Sequence, residues 1–208
     1  MTAFTIIPNL TFVPREDWQP KDHPRLGAKV DRDNRTHVII HHTVMEDESD
    51  KSPHIWESHK EISQNMREVQ TSRPDLGLDV PYNFVAYLVP GDGLVICEGR
   101  GEDRTGAHTK GHNTAGIAVS FAGNFHKKSV PLLDVSKRIH LLSYFLGWLK
   151  LSASHTDYGK FPPLKNLDKL KPSGRKVFMH RDFKATACPG DRLEQVIDQV
   201  AFLDPATA

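Results

Sequence analysis

The chain has 208 residues, enough for one domain with a sizeable core, and 38% of them are hydrophobic, the proportion of a globular protein. A formal net charge of +1 removes any electrostatic reason to expect nucleic acid as a partner. Two cysteines cannot build a disulfide framework, and the most apolar stretch, Ile139 to Leu151, is too short and too interrupted to span a bilayer.

In chain order, residues 1–36 are rich in Pro and charge, show no clear period, and are expected to wrap over the surface. The N-terminus, MTAFTIIPNL, lacks the basic region and long apolar core of a secretory signal, so the chain is expected in the cytoplasm at synthesis. Thr36 to Thr43 reads as a buried strand centred on Val38-Ile39-Ile40, and Met45 to Ser52 as a solvated acidic loop. Ser52-Pro53 then opens a predicted helix running to about Val69, on Ile55, Ile62, Met66 and Val69. Arg73 to Pro81 is a loop and Tyr82 to Val89 a strand. Gly91-Asp92-Gly93 turns the chain, and Leu94 to Glu98 returns antiparallel.

A Gly-rich loop, Gly99 to Gly111, leads to the strand Gly116 to Phe121. Pro131 begins a second helix whose inward stripe is Leu133, Ile139, Leu142, Phe145, Leu146 and Leu149. After a polar loop, Ser152 to Arg175, a short strand Lys176 to Met179 delivers His180, and Asp191 to Phe202 forms a last amphipathic helix. Strands and helices intermix without a βαβ repeat, which predicts an α/β fold with a central mixed β-sheet flanked by helices, one domain over 1–208. Residues 204–208 read as the start of a linker, as in a domain cut from a larger modular protein.

The chemistry concentrates in HRDFKATACPG, His180 to Gly190. A His and a Cys separated by seven residues, with Pro-Gly after the Cys, can close a loop around one metal ion. A His from the 36–43 strand would complete three N/S ligands. A fourth position left for water is how a catalytic zinc is built. Cys188 would then be a thiolate and Cys97 a free thiol. His41 and His42 point to opposite faces of their strand, and the period alone does not choose between them. Tyr82, at a strand start, could orient a nucleophile or stabilise an oxyanion. Arg100, Arg104, His108, Lys110, His112 and Asn113 could form a groove wall that hydrogen-bonds a polar, partly anionic polymer. Most of the 12 His are expected at the surface.

These segments resemble the type-2 N-acetylmuramoyl-L-alanine amidases, the superfamily shared with the peptidoglycan-recognition proteins. PREDW (14–18), HVIIHHT, DVPYNFVAYLVPGDGLVICEGRG, GAHTKGHNTAGIAVSFAGNF and HRDFKATACPGDRL follow in the family's order and spacing. The resemblance implies His41, His180 and Cys188 as Zn2+ ligands, with His42 as a neighbour in the groove. It implies Tyr82 as a catalytic residue, and His42, Arg100, His108 and Asn113 as substrate-binding. Thr186 occupies the position where some members carry a catalytic Lys and the amidase-active recognition proteins carry Thr; Lys184 lies close by. The strand 116–121 lacks the Glu base of the recycling-type amidases.

The implied activity is zinc-dependent hydrolysis of the amide between N-acetylmuramic acid and L-alanine in peptidoglycan, by a monomer without membrane insertion. The absence of a signal peptide points to a phage endolysin, a bacteriolytic enzyme that reaches the wall after release from the host cytoplasm. The alternatives are a peptidoglycan-recognition module that binds without cutting and a cytoplasmic muropeptide-recycling amidase. Non-catalytic relatives commonly lose the Cys ligand, which is present here.

Overall fold

Apolar residues line both faces of the central strands, and the two faces are covered by different helices. The computed structural model describes residues 3–19, 23–46, 54–126, 128, 130–151 and 163–208. Within them seven strands form one sheet: β1 (Phe4–Ile7), β2 (Leu10–Val13), β3 (His37–His42), β4 (Phe84–Val89), β5 (Gly93–Glu98), β6 (Gly116–Phe121) and β7 (Phe178–Met179). Their order is β1-β2-β5-β4-β6-β3-β7. β3 runs parallel to β6 and β7, and β4 parallel to β6, while β4–β5 and β1–β2 are antiparallel. This is the expected α/β architecture.

The main helices are α1 (Arg15–Trp18), α2 (His59–Thr71), α3 (Leu132–Leu151) and α4 (Asp191–Glu194). Val38, Ile40, Phe84, Ala86, Ile117 and Val119 pack in one cluster with Val135, Ile139, Leu142, Phe145 and Leu146 of α3. Val85, Tyr87 and Cys97, on the opposite face, pack with Ile62, Met66 and Val69 of α2. Truncating a fully buried member such as Leu142 or Phe145 to Ala costs about 2–5 kcal/mol, since the rigid sheet behind it cannot collapse into the void.

Four expectations need correction. Residues 4–13 are not a surface wrap: they form the β1–β2 hairpin, turning at Asn9 in the left-handed region (φ 65°), and they bury Leu10 and Phe12. α2 begins at His59, because Ser58 and Glu61 form a capping box with both bonds at 3.2 Å. Before it, Ile55 bridges to Leu88 and the Trp56 N–H donates to the Leu88 carbonyl; Pro53 lies outside the described residues. Leu133 is 64% exposed, so the inward stripe of α3 starts at Val135. The last helix stops at Glu194 and gives way to i→i−3 turns (Val196 to Leu193, Gln199 to Val196, Val200 to Ile197). β-Branched Val196, Ile197 and Val200 disfavour a regular helix while still burying the expected apolar face.

Of the loops, 47–53 and 152–162 lie outside the described residues. Among the described residues no helix is long and apolar enough to cross a membrane.

Candidate metal centre

All six residues of β3 are buried, so burial does not tell its faces apart, but packing does. Val38 and Ile40 belong to the α3 side. His37, Ile39 and His41 therefore face the other way, and His42 returns to the α3 side, where its Nδ1 accepts the Phe125 N–H (3.2 Å). β7 runs parallel beside β3, pairing Ile40 with Met179, and so delivers His180 next to His41. The two rings are 4.6 Å apart between centroids.

The loop after β7 then folds back. Asp182 accepts the Met179 N–H (2.7 Å), and the Arg181 N–H donates to the Cys188 carbonyl (3.1 Å). The Cys188 N–H donates to Thr186 Oγ1 (3.3 Å), so the Thr186 hydroxyl supports the cysteine from behind. Gly190 closes the loop at φ 96°, and a Cβ there would stand 2.5 Å from the Phe125 carbonyl carbon. One donor atom each from His41, His180 and Cys188 come to lie within 4.8 Å of one another, a cluster able to coordinate a metal ion. His41 Nδ1 is 3.6 Å from Cys188 Sγ, which also receives the His42 N–H at 3.5 Å.

The electrostatics suit a cation. Burial, followed by the neighbouring imidazoles of His108, His180 and His42, holds His41 well below the ordinary histidine range. Burial and then Lys184 lower His180. Both rings are therefore neutral and free to ligate. Burial pushes the Cys188 thiol up to about 11, against the opposing His42 N–H and Arg181, so its thiolate needs a cation to persist near neutral pH.

Tyr82 stands just before β4, its ring 5.3 Å from that of His41. Burial, and then Cys188, push its phenol up to about 12, with the Ser120 hydroxyl opposing, so it is a proton donor at neutral pH. Ser120 pairs with His41 in the β3–β6 register and is buried. The site-facing residues of β6 are thus Gly116, Ala118 and Ser120, none of them a carboxylate.

The Gly-rich loop forms the adjacent wall. His108 is buried, its ring 5.1 Å from that of His41. Asn113 Oδ1 accepts the backbone N–H of both His108 and Thr109 (2.9 Å each) and so fixes the turn. Arg100 is buried below the wall, donating to the carbonyls of Val80 (2.9 Å), Thr105 (3.2 Å) and Leu76 (3.4 Å). The residues that hold this loop carry no local sequence signal. Arg35 donates to the carbonyls of Glu102, Asn113, Thr114, Gly116 and Arg104, and the Asn83 side chain joins Gly101, Arg104 and Ala118. Thr109 lies between His108 and His41, 3.1 Å from one ring and 3.4 Å from the other. Among the described residues, five of the chain's 12 histidines are buried: His37, His41 and His42 in β3, and His54 and His108 outside the strands.

The mixed β-sheet thus brings two imidazoles and a thiol together beside a buried phenol, a candidate metal centre. The family follows from comparison. A family model described as N-acetylmuramoyl-L-alanine amidase matches residues 31–191, and the chain belongs to that family. Peptidoglycan-recognition protein 1 of Holotrichia diomphalia is 29% identical over 90% of this chain and 79% of its own length. Peptidoglycan-recognition protein SA of Drosophila melanogaster is 36% identical over 55% of this chain and 50% of its own. The solved structure of wild-type Drosophila peptidoglycan-recognition protein LB superposes with a TM-score of 0.63 at 22% identity, covering 93% of this chain and 96% of that one, a likeness of fold. The expected assignment to a phage endolysin and bacteriolytic enzyme is overturned by these relatives, which are insect recognition proteins.

Proposed function

We propose that the chain is a zinc-dependent N-acetylmuramoyl-L-alanine amidase, hydrolysing the amide between N-acetylmuramic acid and L-alanine of peptidoglycan. The observation that carries this reading is the convergence of His41, His180 and Cys188. A tetrahedral centre with a Zn–N bond near 2.05 Å and a Zn–S bond near 2.3 Å separates the two donors by about 3.6 Å. The spacing between His41 Nδ1 and Cys188 Sγ is 3.6 Å, so this pair of donors is spaced as zinc would need, and a His180 nitrogen lies within 4.8 Å of both. Zinc, when bound, supplies Lewis acidity and a lowered pKa for water.

The residues of the chain do the rest. Tyr82, protonated and beside His41, donates its phenol O–H to the oxygen on which charge develops. Thr186 acts by holding Cys188, and Lys184, on the exposed side of the loop, stays outside that contact. His108, beside His41, is the wall residue assigned to the glycopeptide in this reading, while Asn113, Arg100 and His42 support the wall through their buried bonds.

A second reading, a module that binds peptidoglycan without cutting it, is favoured by the names of the relatives. The intact donor set favours cleavage. Zinc analysis of the purified chain and of Cys188→Ser tests the choice. About one zinc per chain, lost together with cleavage of a muramoyl-peptide in the variant, supports the amidase. A zinc-replete chain that binds the muramoyl-peptide and leaves it intact makes it a recognition module.

A further inference from the structure

We infer that Thr109 is a positioning residue for the metal centre, its single hydroxyl setting which nitrogen carries the proton on His41 and, in the same step, on His108. The inference rests on reading His41, His180 and Cys188 as metal ligands.

His41 turns Nδ1 toward Cys188 Sγ (3.6 Å) and Nε2 toward Thr109 Oγ1 (3.4 Å). A neutral imidazole that ligates through Nδ1 must hold its proton on Nε2. That N–H has Thr109 Oγ1 as its acceptor. The hydroxyl can then send its own hydrogen only to its other neighbour, His108 Nδ1, 3.1 Å away. His108 Nδ1 is thereby an acceptor, and its proton resides on Nε2. Among the described residues neither ring has a carboxylate partner that would hold it charged.

The consequence falls at His108 Nε2. It is buried and has no hydrogen-bond partner among the described residues, an uncommon state for a buried ring nitrogen. The relay makes it an N–H donor enclosed beside Gly106, and it links that donor to the metal ligand through one side chain. The loop is built to keep the relay in place. Asn113 Oδ1 binds the N–H groups of both His108 and Thr109 at 2.9 Å. Residue 106 is glycine where a Cβ would stand 2.2 Å from His108 Cδ2, so the ring fits only against a bare backbone. A hydroxyl that orients a ligating imidazole typically governs metal affinity by 10–100-fold.

The test is zinc affinity by competition with a chromophoric chelator, on wild type, Thr109→Val and Thr109→Ser, together with imidazole 15N NMR of the zinc-loaded wild type. Thr109→Val, nearly isosteric, is expected to bind zinc about 10–100-fold more weakly, and Thr109→Ser to restore most of the loss. The NMR spectrum is expected to show His41 and His108 both as Nε2–H tautomers. Equal affinity in Thr109→Val, no rescue by Ser, or an Nδ1–H tautomer at His108 overturns the relay while leaving the metal centre standing. Failure of the wild type itself to take up zinc overturns the metal-centre reading instead. The NMR arm needs no variant, so a misfolded Thr109→Val does not spare the inference.

Discussion

His37 offers a stability test that stands apart from catalysis. It lies on the same face of β3 as His41, only 2% exposed, among the rings of His112, Phe178 and Phe183. Burial, and then repulsion from His112 and Arg35, lowers its pKa to about 4 from 6.5. The unfolded chain therefore takes up a proton below pH 6.5 that the folded chain refuses until about pH 4. The contribution of His37 to stability is complete above 6.5 and is lost as the pH falls toward 4. Between pH 8 and pH 5 the loss from this one residue comes to about 2 kcal/mol. His37→Phe keeps an aromatic ring in the aromatic cluster and removes the titration. Urea unfolding with chelator present, at both pH values, should show wild type losing about 2 kcal/mol more than His37→Phe over that interval. Parallel losses in the two proteins would refute the burial argument.

Three other outcomes follow from the site. Zinc uptake should displace one proton, from the Cys188 thiol, because the imidazole ligands are already neutral; affinity should rise about tenfold per pH unit between roughly pH 7 and 9. A pH-independent affinity, read by chelator competition, would contradict that protonation scheme. Tyr82→Phe should retain zinc and lose about 10²–10³ in turnover, and full turnover in the zinc-loaded variant would remove Tyr82 from the mechanism. Arg35→Lys should destabilise the fold by about 2–4 kcal/mol, since one ammonium cannot satisfy the five carbonyls that the guanidinium reaches; an unchanged urea midpoint would count against the clamp.

Much of this architecture is legible in the chain where the signal is local. The apolar run Val38-Ile39-Ile40 marks β3, and Gly91-Asp92-Gly93 marks the turn between β4 and β5. HRDFKATACPG announces a loop that closes on itself because its Thr, Cys and Gly bond within eleven residues. Where the controlling contact is distant, the sequence is silent. His41 and His42 could not be distinguished by period because both faces of β3 are covered, one by α3 and one by the site. Thr109 acquires its place only by meeting a ring 68 residues away, and Arg35 by meeting carbonyls 67 to 81 residues away. The β1–β2 hairpin is hidden by the Pro and charge spread over residues 1–36, although Leu10 and Phe12 supply the core. The α2 start was legible after all, in the Ser58-x-x-Glu61 box, but the upstream Ser52-Pro53 drew the boundary too early.

The central claim is amide cleavage at a zinc centre, and the most direct test is release of free N-terminal alanine from purified peptidoglycan, with chelator and after zinc is restored. Release that the chelator stops and zinc restores, without new reducing sugar ends, is the expected result. Tight binding to the polymer with no alanine released by a zinc-replete protein would contradict it.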